Sequence, residues 1–113
     1  MSGPILSIEI EKIADGAQPA RMLEQAVLDM TSDENIISKR VVEEDLGFRG
    51  NPTPHGEKSN QKDTQGYIEL SWCLYKSNRT FKARFEITRE WDPPFEVMLG
   101  RRTIEENRIE VPS

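Results

Sequence analysis

The chain has 113 residues, enough for one domain (1–113) and too few for a second of ordinary size. Fifteen Lys and Arg against twenty Asp and Glu leave a net charge of −5, which disfavours a nucleic-acid-binding surface, because phosphate contacts need clustered cations. With 35% apolar and 31% charged residues the core is small for the length, and self-association is one way to compensate.

Ile5, Leu6, Ile8 and Ile10 predict an edge strand at the start. Arg21 to Asp29 is ambiguous: Met22, Leu23, Ala26 and Val27 suit a helix, whereas Ala26-Val27-Leu28 suits a buried strand, and propensity alone leans helical. Ser38 to Leu46 reads as a helix, with Ser38 as N-cap, Val41, Val42 and Leu46 as its apolar stripe, and Gly47 at the C′ position. From Phe48 to Gln65 the chain is polar and rich in breakers, a loop or mobile hairpin. Strict period two follows from Gly66 to Tyr75, where Ile68, Leu70, Trp72 and Leu74 share one face. Lys76-Ser77-Asn78-Arg79 supplies a turn. Phe81, Ala83, Phe85 and Ile87 then alternate again, predicting an antiparallel hairpin. Asp92-Pro93-Pro94 stops any ladder, since proline cannot donate. Phe95 to Leu99 is a short apolar run closed by Gly100, and Arg101 to Arg108 suits a short helix with Ile104 and Ile109 inward.

Few residues invite chemistry. His55, in the polar loop between Pro54 and Gly56, reads as solvated surface, and Cys73 as a small buried or half-buried thiol. These two cannot assemble a soft-ligand zinc site, and a single cysteine forms no intrachain disulfide, so no metal or cofactor is expected. Glu43-Glu44-Asp45 reads as a solvated helix face. Asn78-Arg79-Thr80 matches a glycosylation sequon, but without a secretion signal it is better read as a turn. No Gly-rich phosphate loop is present. There is no apolar run near ~18 residues, and Met1 to Ile10 lacks the basic start of a leader. An intracellular chain, cytoplasmic or nuclear and without a membrane partner, is expected.

One segment stands apart. Ala26-Val27-Leu28-Asp29 delivers a carboxylate from an apolar run directly into a polar turn, Met30-Thr31-Ser32-Asp33. A charge there is costly unless it is paired or used. The plain alternative is that Asp29, Ser32 or Asp33 merely opens the turn or caps the following helix.

Ala26 to Gly47 resembles the catalytic-turn segment of retropepsin-like aspartic proteases, the retroviral and retrotransposon type. There a hydrophobic strand leads into Asp-Thr-Gly or Asp-Ser-Gly, often followed by Asn-Phe-Ile-Ser and a Leu-Gly terminus. The counterparts are Val27-Leu28-Asp29-Met30-Thr31-Ser32, then Asn35-Ile36-Ile37-Ser38 and Leu46-Gly47. Pro94 to Arg101 is similar to the family's second signature, two apolar residues then Gly-Arg. The hairpin opening at Gly66 matches in order and spacing. The likeness covers nearly the whole chain and is greatest to retroelement-derived domains of fungal genomes.

The resemblance implies an all-β, small closed retropepsin-like barrel with one or two short helices and one half-site per chain. It makes Arg21 to Asp29 a strand and 51–65 a substrate-covering flap, with His55 and Gly56 as flap candidates. It implies one catalytic Asp29 from each of two copies, hence a homodimer acting on a polypeptide substrate or holding a peptide ligand. Met30, Thr31, Ser32, Asp33, Gly100 and Arg101 would support the turn, with Arg101 paired to Asp33. The chain ends, Ile5 to Ile10 and Ile109 to Val111, would join a dimer sheet.

The match breaks at the centre. Where the family has a hydroxyl after the Asp, this chain has Met30, which cannot hydrogen-bond across the two turns. Where the family has glycine, it has Thr31, bulkier and stiffer; a slipped arrangement with the Thr31 hydroxyl in the lost one's place would move the backbone. Impaired or lost hydrolysis is therefore favoured, as in a pseudoprotease that dimerises or binds peptides. A working endopeptidase and an unrelated small β interaction domain are the other readings.

Overall fold

The computed structural model describes residues 4–12, 20–48, 50–54 and 64–110. Among these residues six strands follow one another: β1 (Ile5–Glu11), β2 (Arg21–Asp29), β3 (Asn35–Ile37), β4 (Thr64–Leu74), β5 (Thr80–Thr88) and β6 (Val97–Gly100). They close into a barrel in the order β1-β2-β6-β3-β5-β4. The fold is all-β, as the resemblance implied, with two short helical segments among the described residues, Val41–Asp45 and Arg101–Glu106. None of the described helices is long and apolar enough to cross a membrane.

The hairpin with the clearest alternation forms the longest ladder, from Thr64 opposite Thr88 to Cys73 opposite Thr80. Its inward side chains include Leu70, Trp72, Phe81 and Phe85, all buried. Trp72 and Phe81 pack with ring centroids 4.8 Å apart. Burial of such a side chain stabilises by about 1.5–3 kcal/mol. β5 ends at Thr88, and the segment through Pro93 and Pro94 carries no ladder before β6.

Two readings of the local pattern are corrected. Propensity leaned helical for Arg21 to Asp29, whereas the resemblance made it a strand; these residues are strand β2, antiparallel to β1 over seven pairs and parallel to β6 from Ala26–Val97 to Asp29–Gly100. Ala26, Val27 and Leu28 are all buried because this end of the strand is covered on both faces. The first strand is not an edge, because Ile8 to Ile10 also pair with Leu74 to Trp72 of β4, and that pairing closes the barrel. At the other end lies Ile109, one of the residues expected in a dimer sheet. It is buried in the chain's own core, its N–H bonded to Ile104 O at 2.9 Å; Val111 lies outside the described residues.

Other boundaries move slightly. The helix expected over Ser38 to Leu46 is a single turn whose centre, Val41–Asp45, is wound as π-helix, Leu46 N–H reaching Val41 O at 3.0 Å. Phe48 N–H then closes on Val42 O at 3.0 Å, across Gly47 at φ 78°, a left-handed turn that glycine takes without strain. The C-terminal helix is Arg101–Glu106, with Thr103 and Ile104 buried. Of the segment read as a flap, Thr53 bridges Tyr67 and Thr64 already begins β4. His55 and Gly56 lie outside the described residues.

Candidate active site: the Asp29 turn

Asp29 is the last residue of β2, held opposite Gly100 at the end of β6. Its partial exposure comes from the turn at Met30-Thr31 that follows. Asp29 Oδ1 accepts two hydrogen bonds from Thr31, one from the backbone N–H at 2.9 Å and one from the hydroxyl at 2.5 Å. Thr31 thus spends its hydroxyl on the aspartate of its own chain. Met30 projects outward, 41% exposed. Ile5 is exposed as well, and β1 places it opposite Val27, two residues before Asp29.

Beside the carboxylate runs an apolar strip. Val27 lies opposite Met98, and Met98 opposite Ile36, so the three point to the face that Asp29 also takes. Val27 is buried, whereas Ile36 and Met98 are half-buried. A carboxylate next to such a strip can meet a polypeptide whose side chains need apolar pockets.

The turn is braced from beneath by the Gly100-Arg101 corner. Arg101 N–H donates to Ser32 O at 2.6 Å, and Gly100 N–H to Asn35 Oδ1 at 2.9 Å. Asn35 is buried, and its amide donates onward to Thr103 Oγ1 at 2.8 Å and to Arg84 O at 3.1 Å. Ser32 Oγ accepts from Glu34 N–H at 3.3 Å, which tightens the turn itself. On the outside, Arg101 Nη2 meets Asp33 Oδ1 at 2.8 Å, with Nε at 3.1 Å to the same oxygen. Arg101 and Asp33 are therefore together, as the resemblance implied. Both side chains are about half exposed, 50% and 42%, so the pair is worth little in free energy. Asp33→Ala is expected to cost no more than ~1 kcal/mol in urea unfolding, less at high salt.

Of the six turn and corner residues singled out from the sequence, Met30 to Asp33 with Gly100 and Arg101, Thr31 bonds Asp29 and Gly100 stands opposite it, while Ser32 and Asp33 are tied to Arg101. Asn35 was not among them. Its signal was an amide side chain inside the apolar stretch Asn35-Ile36-Ile37, a polar group bound for the interior and needing partners there.

Cys73 is buried, its Sγ accepting from Arg21 Nη1 at 3.3 Å. Burial pushes the thiol up, Arg21 offsetting part of this. That is the setting of an inert thiol. Among the described residues no group of three or more His, Cys, Asp or Glu could hold a metal ion.

With this geometry in view, the fold is that of a retropepsin-like domain. A crystal structure of the retroviral protease-like domain of Ddi1 from Leishmania major superposes with a TM-score of 0.63, covering 99% of this chain and 82% of that one. Sequence identity is 13%, so the likeness establishes the fold alone. No family model and no curated protein sequence matches the chain.

Proposed function

We propose that the chain is one half of a retropepsin-like aspartic protease of the retroviral and retrotransposon type, acting as a homodimer, with peptide-bond hydrolysis impaired or lost. The observation that carries this reading is the placement of Asp29: a carboxylate at the end of a covered strand, opposite a glycine corner, next to an apolar strip. Aspartic proteolysis needs two carboxylates sharing a proton, one ionised to activate water and one protonated to polarise the carbonyl. The chain supplies one such turn, so the second carboxylate comes from a second copy related by a two-fold axis. The exposed Ile5 and Met30 at this end of β2 suit burial against that copy.

Two observations favour impaired catalysis. A thioether at position 30 offers no hydroxyl to the opposite turn, and the Thr31 hydroxyl is directed to its own Asp29 at 2.5 Å. The two turns then meet without the hydrogen bonds that would hold the dyad, while peptide binding along the strip is untouched. A peptide-binding or dimerising pseudoprotease is the form of the proposal that these contacts favour.

Sedimentation at micromolar concentration tests the dimer, and a strictly monomeric chain would remove the paired site. Cleavage is assayed on an unfolded protein near pH ~5, where a carboxyl pair can share one proton, with and without a statine-type inhibitor. The natural chain is expected to be slow or inactive. Met30→Thr with Thr31→Gly should tighten the dimer and raise cleavage by about a hundredfold, the scale of restoring hydrogen bonds to a reacting centre. Adding Asp29→Asn to that double variant should abolish the gain. Brisk inhibitor-sensitive cleavage by the natural chain would overturn the impairment, and cleavage indifferent to Asp29→Asn would overturn the site.

A further inference from the structure

Glu24 breaks the rule of the strand that carries it. The inward positions of β2 are Glu24, Ala26 and Leu28, and Glu24 is as covered as its apolar neighbours, at 1% exposed. Opposite it on β1 stands Ile8, which offers no hydrogen bond. The charged groups acting on it most are themselves acidic: Asp45, at the end of the π-turn, and Glu96, just before β6. The cation of that turn, Arg40, is engaged with Asp92 at 3.1 Å and Glu44 at 3.8 Å, and also attracts Asp45, but forms no ion pair with Glu24. Glu9, the charged residue of β1 beside Ile8, turns to the other face, towards Cys73. Glu96 Oε1 accepts from Gln25 N–H at 2.6 Å. Glu24 Oε2 is buried with no partner able to donate to it.

An ionised Glu24 would add a buried negative charge, with a bare oxygen, beside the half-buried Asp45 and Glu96, a combination costing far more than a normal residue. A proton resolves both problems. It removes the charge and gives the buried carboxyl an O–H that it can donate to the Asp45 carboxylate. We propose that Glu24 binds a proton in the folded state at neutral pH, and that the resulting carboxylic acid–carboxylate link to Asp45, with Glu96 alongside, latches β2 to the π-turn and to the approach of β6. The fold is then tightened by mild acid and loosened by mild alkali, whatever Asp29 does.

The direction of the titration agrees. Burial first, then the hydrogen bond to Asp45 and the repulsion of Asp45 and Glu96, push Glu24 from 4.5 up to about 9. Between those values the folded chain holds one proton that the unfolded chain has lost. Unfolding therefore releases a proton, and stability falls as pH rises across that window.

The test is urea unfolding of the natural chain and of Glu24→Gln from about pH 6 to pH 8. One proton difference predicts an unfolding constant that rises about tenfold per pH unit in the natural chain. Glutamine has the same shape and donates two hydrogens without a titrating proton, so Glu24→Gln should lose that slope and be the more stable protein at the alkaline end. Equal slopes in the two proteins would overturn the proposal. Should Glu24→Gln fail to fold, calorimetric unfolding of the natural chain in buffers of different ionisation enthalpy reads the proton directly: release of about one near pH 7 supports the latch, and none refutes it.

Discussion

Gly100→Ala is expected to destabilise the fold by about 3 kcal/mol, a fall in Tm of roughly 10–20 °C for a domain of this size. The cause is space, since Gly100 has an ordinary extended backbone, φ −82° and ψ 167°. A Cβ there would stand 2.5 Å from Glu34 O, with Asp33 C and Glu34 C each at 2.7 Å. All three are backbone atoms, so no side chain can swing aside. The loop after Asp29 must retreat, and in retreating it loses the Gly100–Asn35 and Arg101–Ser32 hydrogen bonds that hold it. Gly50→Ala is the control: among the described residues its Cβ would touch only the Phe48 ring, at 3.6 Å, and it should change stability by less than ~0.5 kcal/mol. Thermal unfolding of the two variants side by side separates crowding at this corner from a general loss of glycine. Equal, small effects would mean that the turn is not seated on Gly100 at all.

What could be read from the sequence depended on whether a residue's role is local. The β4–β5 hairpin was legible because one face is core and the other is not, which prints period two directly into the chain. β2 was not legible from its own pattern and became a strand only through the resemblance, for two reasons that compound. Its C-terminal half is covered on both sides, which erases alternation, and its inward Glu24 put a charge where a core residue was due. The three residues of β3 are too few to show any period. Barrel closure by β1 against β4 joins residues more than sixty positions apart, and no local pattern encodes it. The π-turn differs from an α-helix by one residue in the span of each hydrogen bond, and the stripe Val41, Val42, Leu46 serves either winding.

The site divides along the same line. Asp29, its turn and the Gly100-Arg101 corner were named through resemblance to two short signatures, and the structure brings them together. The direction of the Thr31 hydroxyl was open, because only the turn's geometry decides between the opposite turn and its own aspartate. Glu24 left no mark, since a glutamate in an amphipathic segment looks like the solvent face of a helix. Its burial follows from the partners of β2, not from its neighbours in sequence.

Asn35→Ala should cost about 2–4 kcal/mol, several times the effect of removing Asp33, although both residues brace the same turn. The difference lies in solvent. Asp33 and Arg101 are wet, and water replaces either partner when the other is lost. Asn35 is buried, and truncating it strands the Gly100 N–H, the Arg84 carbonyl and the Thr103 hydroxyl where little water reaches. Thr103→Val should cost less, about 1–2 kcal/mol, because it strands only one amide hydrogen of Asn35. In the double variant the two effects should fall short of additivity by about 1 kcal/mol, since the Asn35–Thr103 bond can be lost only once. Urea unfolding of the four proteins supplies the cycle. Strict additivity would mean that Asn35 and Thr103 act separately, and the inner brace would not be one unit joining the Asp29 turn to the C-terminal helix. Sub-additivity would make Asn35 and Thr103 one buried brace between the Gly100 corner and the C-terminal helix, with the visible ion pair outside it contributing orientation and little more.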